Sequence, residues 1–317
     1  MPSLFVMDVR QLSMFLAVVD HGGFTAASRS LHTVQSNVSA HISRLEKELG
    51  VTLIDRATGL PTAEGQVVAE RARRVQAELA ALTADVHSVR SEVSGTARIG
   101  LIGTTARWLA PILIDTMLIE HPLVRVEIHD ATTASLLLKL HSGAIDFAVL
   151  TTPTNDPDVS TTALFTEDRI LATPAGHSLF SHERVTIADL NGVELIVEPP
   201  GRPFRAQLDA LFAERGCTLA VRAEVDGTRL MASLAFEGFG AAILPASAVS
   251  SRSDLGWHTA PVDGVPGRAV GLATRRQALL SAPARALAEV LEDVVSSQGE
   301  HQPGIHPTTP RHPSPDR

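Results

Sequence analysis

The sequence predicts an α/β protein carrying an all-α head: short helices at the N-terminus, one long helix, then two lobes of alternating strands and helices. Three observations carry this. Between residues 8 and 62, apolar residues recur at helical spacing. Residues 63–93 run without Pro or Gly, apart from Gly65 in the first turn. They space Val68, Ala72, Val75, Leu79, Leu82, Val86, Val89 and Val93 by four and three in alternation. Beyond residue 96 the period changes to short apolar runs alternating with helical stretches. At 317 residues, 44% hydrophobic and 20% charged, the chain has room for two or three such domains. No apolar run reaches the ~18 to 20 residues of a spanning helix, and no basic leader with a small-residue cleavage site opens the chain, so it reads as cytoplasmic, with no membrane partner. The single cysteine, Cys217, excludes an internal disulfide and a multi-cysteine metal site; it reads as a small packed residue beside Gly216 in a reducing compartment. A net charge of −8 supplies no global positive field, so any nucleic-acid contact must be local.

The head breaks at Gly22 and Gly23 and again around His32 to Val34. In "GGFTAASRSLHTVQSNVSAHISRLEKELG" the second helix buries Val38, Ile42, Leu45 and Leu49 on one stripe. Ala26 and Ala27 on the first helix are small enough for the second to cross closely, as a helix-turn-helix requires. The opposite face shows Gln35, Ser36, Ser39, Ala40, His41, Ser43 and Arg44, with no carboxylate before Glu46. Such groups reach phosphates and base edges in a major groove, and Arg44 adds a bidentate donor. A polar helix on some other partner is the lesser alternative. Through residue 95, nine Lys and Arg face ten Asp and Glu. The phosphate attraction is therefore modest, centred on Arg29, Arg44, Lys47, Arg56 and the Arg71, Arg73, Arg74 cluster, and binding leans on two linked copies. The long helix supplies the link: a rod of roughly 45 Å with one narrow apolar seam calls for a partner helix.

Ser94-Gly95-Thr96 ends the rod. "ARIGLIG", "VRVEIHD" and "IDFAVLTT" read as strands, with helices "ARWLAPILIDTMLIEH" and "ASLLLKLHSG" between them, which predicts a parallel sheet with right-handed crossovers. A second series runs from "RILATPA" through "VELIVEPP", a helix at 204–215, "TLAVRAEV", a helix at 228–237 and "AAILP". "RAVGLAT" and a helix near 283–296 return to complete the first lobe. The last 19 residues hold five prolines and no apolar period, and read as disordered.

Enzyme signatures are absent: no G-x-S-x-G, no G-x-x-x-x-G-K-[ST], no H-E-x-x-H, no G-x-G-x-x-G. Gly100 and Gly103 in "RIGLIGTTARW" suit tight packing better than a phosphate cradle. His301, His306 and His312 read as solvent-facing, so neither metal nor cofactor is expected.

"MDVRQLSMFLAVVDHGGFTAASRSL", "VQSNVSAHISRLEKELGVTLIDR" and "LPTAEG", with "HPLVRVEIHD", "SGAIDFAVL" and "LAFEGFGAAILP" further on, resemble the LysR-type transcriptional regulators. The resemblance spans residues 7 to about 297. It implies a winged helix-turn-helix over 1–62, a linker and dimerisation helix over 63–95, and a two-lobed, periplasmic-binding-protein-like effector domain over 96–298, leaving 299–317 as the tail. It also implies promoter DNA and a small-molecule inducer as partners, a dimer or tetramer, and RNA polymerase as a candidate further partner. Carried over by position, Gln35, Ser36, Ser39, His41 and Arg44 fall on the recognition helix and Arg56 on the wing. Ala40 stands where many members have Arg. Val34 stands where many have a capping Ser, which makes Thr33 the expected cap and shifts the helix start by one residue. Met7 matches the usual family start, leaving residues 1–6 as an extension or a misassigned start. The inducer cleft would be lined by Thr104, Thr105, Thr132, Thr133, Thr151, Thr152, Arg202 and Phe204, whose hydroxyls and cation suit an anionic or polar ligand; helix capping is the competing role for each Thr. The alternative is an α/β solute-binding or enzymatic module fused to a DNA-targeting head.

Overall fold

The computed structural model describes residues 7–90, 92–249 and 256–308. The segment before Met7 and the end of the expected tail, 309–317, lie outside these. The chain forms two compact units, one built on residues up to Glu92 with Leu138–Ile145, the other on Val93–Leu137 and the chain from Asp146 onward.

The first unit opens with α1 (Val9–His21), started by a capping box: the Asp8 carboxylate accepts from the Gln11 backbone N–H at 2.7 Å, and the Gln11 side chain accepts from the Asp8 N–H at 2.9 Å. Gly22, in the left-handed region at φ 71°, ends it. Then come α2 (Phe24–Ser30) and α3 (Gln35–Leu49). Phe15 and Val18 of α1 pack with Ala27, Val38, Ile42 and Leu45, so the small Ala27 does permit the close crossing. The chain then makes a wing, with Ile54 bridged antiparallel to Pro61. Helix α4 (Ala63–Arg90) starts behind Thr62, whose hydroxyl accepts from the Gly65 N–H at 3.0 Å. A Cβ on Gly65 would lie 2.1 Å from the Leu53 carbonyl oxygen, so only glycine lets α4 start this close to the wing. The seam divides in two. Ala72, with half-buried Val68 beside it, joins the core of the head, whereas Val75, Leu79, Leu82, Val86 and Val89 are exposed.

The second unit contains β1 (Gly95–Ile102), α5 (Gly103–Glu120), β2 (Val124–Ala131), α6 (Thr133–Ser142, whose second half groups with the first unit), β3 (Phe147–Thr151) and β4 (Val159–Glu167). It continues with β5 (Arg169–Pro174), β6 (Val185–Thr186), β7 (Glu194–Val197), α7 (Pro203–Glu214), β8 (Ala220–Glu224), α8 (Thr228–Phe236) and β9 (Ala241–Pro245). After a short helical turn at Ala246–Ala248 come β10 (Trp257–Asp263), β11 (Arg268–Arg275), α9 (Ala282–Gln298) and β12 (Ile305–Pro307). Two sheets result, ordered β12-β4-β11-β3-β1-β2 and β6-β10-β5-β9-β7-β8. The expected parallel pairing holds for β2-β1-β3 and β8-β7-β9. It fails for β5, which pairs antiparallel with β9; β11 also joins the first sheet antiparallel, as do β4 and β12, and β10 pairs antiparallel with β5, these last three lying outside the expected strands.

The tail reading needs correction over residues 299–308. Gly299–His301 forms a helical turn, and β12 adds an edge strand to β4, pairing Ile305 with Glu167. Ile305 is buried, and the Gly304 carbonyl accepts from the Asp168 N–H at 2.8 Å. His306, expected to face solvent freely, sits 3.0 Å from an Asp168 carboxylate oxygen.

Candidate functional site

Gln35, Ser36 and Arg44 stand exposed on α3, with Ser39 half-buried beside them. The helix begins behind Val34 with no side-chain cap. Thr33 does not take that role: its hydroxyl accepts instead from the Asn37 amide at 3.0 Å. The first turn is thus left without a side-chain cap, its Asn37 N–H turning back to the Val34 carbonyl at 3.1 Å, at an end that favours anions. Gln35 is steadied from α2 by the Thr25 hydroxyl, which donates to its side-chain oxygen at 3.1 Å.

Two residues of the expected surface sit differently. His41 is half-buried, with Nδ1 enclosed and unpartnered. It lies three residues after Val38 and four before Leu45, on the flank of the buried stripe rather than opposite it. Arg56 does not reach out from the wing. It folds against α3, donating to Ser39 Oγ at 3.3 Å and Ser43 Oγ at 3.4 Å, pairing with Glu46 at 2.9 Å and covering the Phe24 ring at 4.8 Å. Glu46 also accepts from the Leu53 and Ile54 N–H groups at 2.9 and 3.2 Å. It fastens the wing to α3, a role the sequence signalled only by placing the first carboxylate of the helix there.

At the junction of the two lobes, a cluster of charged and hydroxyl groups surrounds the start of α5. Glu167, fully buried at the end of β4, accepts from Arg268 Nε at 2.7 Å, again from Arg268 Nη2, and from the Ser247 N–H at 2.8 Å. Arg268 also donates to the Thr104 hydroxyl at 2.8 Å. Thr105 is buried with its hydroxyl unpartnered. Arg229 of α8 forms an ion pair with Asp130 and lies over Gly103, where a Cβ would meet its Cδ at 2.7 Å.

The other expected cleft residues scatter. Thr132 is exposed and accepts from the Ser135 N–H at 3.4 Å, the capping geometry for α6. Thr151 closes β3, half-buried and paired in register with Val270. Arg202 is exposed and paired with Asp226, so it is not a free cation for a ligand. Phe204 does face a guanidinium, that of Arg169, at 3.8 Å from ring centroid to Cζ. Arg169 was not anticipated. Its Nε is enclosed without a hydrogen-bond partner, and burial, with Arg268 nearby, holds its pKa down to about 10.

Residues 9–66 match the bacterial regulatory helix-turn-helix proteins of the lysR family, and residues 90–296 match the LysR substrate binding domain. The chain belongs to the LysR family. Among similar proteins are the DNA-binding transcriptional dual regulator OxyR of Escherichia coli K12, 29% identical over 90% of this chain and 95% of that protein, and a hydrogen peroxide-inducible genes activator of Dickeya chrysanthemi, 30% identical over 77% and 80%. Among solved structures, full-length CbnR in complex with its target DNA superposes with a TM-score of 0.66 at 26% identity over 90% of this chain and 99% of that one. A full-length OxyR variant from Pseudomonas aeruginosa gives 0.69 at 24% identity over 92% and 98%, a likeness of fold. Among the described residues of this LysR-family chain, no helix is long and apolar enough to cross a membrane.

Proposed function

We propose that this LysR-family regulator reads promoter DNA with α3, pairs two copies through α4, and responds to a small polar or anionic effector at the junction of its lobes. The observation that carries the reading is the α3 surface: Gln35, Ser36 and Arg44 are exposed, while Glu46, the first carboxylate of the helix, is held by Arg56 and the wing. Phosphates approaching that surface meet donors and an uncapped helix end rather than free negative charge. His41 leaves the contact set, and Arg56 joins it only by giving up Glu46. The exposed half of the α4 seam supports pairing into a dimer or tetramer. We place the protein in the cytoplasm and assign it no catalytic step; turnover of a bound effector would overturn that assignment.

The peroxide signal in the Dickeya chrysanthemi relative's name does not carry over with the fold. Peroxide oxidises a thiolate to a sulfenic acid, and a disulfide switch needs a second thiol to condense with it. Cys217 is the only cysteine, half-buried against the second-lobe core. An internal disulfide is impossible, and a bound effector is the better signal.

The test is to incubate purified full-length protein with fragmented genomic DNA, then sequence and footprint what it retains. A small set of sites, each protected over two half-sites on one face of the helix, is expected. Retention without sequence preference would sink the reading.

A further inference from the structure

Among the described strands, the chain crosses between its two sheets at two places. From β4 to β5 the crossing is a single residue, Asp168, and from β10 to β11 it is 264–267. Any turn of one lobe against the other must be absorbed by the backbone dihedrals of these few residues. Asp168 is held on every side. Its N–H donates to the Gly304 carbonyl at 2.8 Å, its carbonyl accepts from the Ala246 N–H at 3.0 Å, and its carboxylate lies 3.0 Å from His306 Nε2. Two of these three contacts come from the segment that follows α9.

That segment reaches past its own edge strand. β12 pairs with β4, and Thr308 extends the pairing by donating to the Leu164 carbonyl at 2.8 Å, all within the first sheet. Gly304 lies one residue outside the strand, against the second lobe. A Cβ there would stand 2.9 Å from the Ala246 Cβ and 3.4 Å from the Asp168 Cβ, and Ala246 directly follows β9 of the second sheet. At φ +73°, glycine serves both the turn and the close approach. An edge strand alone requires neither the contact with Ala246 nor the pair between His306 and Asp168. We propose that 299–308 is a strap that locks the hinge: anchored in the first lobe, it grips Asp168 and wedges against Ala246, so that the lobes turn on each other only when it lifts.

The two ends of the strap are unequal, as a releasable lock requires. Ile305 is buried in the first lobe, whereas the His306 and Asp168 side chains are 58% and 46% exposed, so their pair is weak in water. Gly304 brings no side chain to the second lobe. The inference rests on the two-lobed fold and on no particular ligand, so it stands or falls apart from the effector reading.

Spin-label distances between the lobes of the full-length protein test this. Cys217→Ser removes the one native thiol, and Glu214→Cys on α7 with Glu289→Cys on α9 puts one label on each lobe at exposed positions. Labelled chains are diluted in excess unlabelled protein, so that each measured pair lies within one chain, and circular dichroism confirms that each variant is folded. The parent should give a single narrow distance. Ending the chain after Gln298, and separately Gly304→Val, which drives a branched side chain into Ala246, should widen the distribution to about twice the parent's or split it into two. His306→Ala, which keeps the Gly304 hydrogen bond, should widen it less. Ile99→Ala opens a cavity in β1, separated from β12 by β4, β11 and β3; it should lower the melting temperature and leave the distance unchanged. The proposal is overturned if the parent is already as broad as its variants, or if the truncated chain and Gly304→Val keep the parent distribution. It is equally overturned if Ile99→Ala widens the distribution as much as they do, or if both strap variants unfold the lobe instead of freeing it.

Discussion

Replacing Arg268 by Met should be among the costliest single changes in the second unit. The Glu167 side chain is 0% exposed and that of Arg268 12%, so the pair is shielded from water and salt. Two of the three hydrogen bonds received by the carboxylate come from Arg268, and only the Ser247 N–H, at 2.8 Å, would remain. The Thr104 hydroxyl would lose its donor as well. Stranding a buried carboxylate in this way costs about 3–5 kcal/mol. The same physics predicts rescue: adding Glu167→Gln removes the stranded charge while keeping an acceptor for Ser247, and should restore roughly half of the loss. Urea denaturation followed by tryptophan fluorescence measures both, since Trp108 lies on α5, edge-on to Phe165 at 5.4 Å. A single variant that loses less than about 1 kcal/mol, or a double variant no more stable than the single, would refute the view that this pair clasps the junction.

Leu79→Asp with Leu82→Asp, at positions 41% and 63% exposed in the single chain, should dissociate the dimer and abolish tight binding to two-half-site DNA; sedimentation of an intact dimer would remove α4 as the pairing element. Ending the chain after Gln298 should lower the melting temperature by several degrees, because it strips β12 from the edge of β4 and leaves the Asp168 N–H without the Gly304 carbonyl; an unchanged melting curve would show that the strand adds nothing. Burial raises the pKa of Asp146, so the native state holds this proton more tightly than the unfolded chain and its contribution to stability is lost as pH rises through the folded value. Asp146→Asn should therefore lose less stability than the parent between pH 4 and 7, and parallel melting curves across that range would contradict it.

Helical spacing was legible because it is local: Val38, Ile42 and Leu45 are buried as their offsets require, and α4 follows its run free of Pro and, beyond Gly65 in its first turn, of Gly. Strand β4 was not, because "VSTTALFTE" carries a hydroxyl residue at four of its nine positions, and its burial follows from the neighbours β11 and β12 rather than from alternation. The tail misled through composition. Proline excludes a segment from a helix or a central strand, yet a three-residue strand at a sheet edge tolerates it. Among the site residues, Gln35, Ser36 and Arg44 could be placed from helix phase alone. Arg56 and Arg169 could not, since the first is set by Glu46 on another element and the second by how Arg268, about a hundred residues away, claims Glu167.

The central claim is that α3 reads DNA, and the salt dependence of binding to a footprinted site, parent against Arg44→Ala, tests it most directly. If Arg44 contacts phosphate, the slope of log K against log salt should fall in magnitude by about one, with affinity reduced on every sequence. If it contacts guanine, the slope should hold while affinity for the selected site drops by ~1–3 kcal/mol and discrimination at one base pair is lost. Equal affinity, slope and sequence preference in the two proteins would place Arg44 outside the interface and contradict the assignment of this face of α3 to DNA.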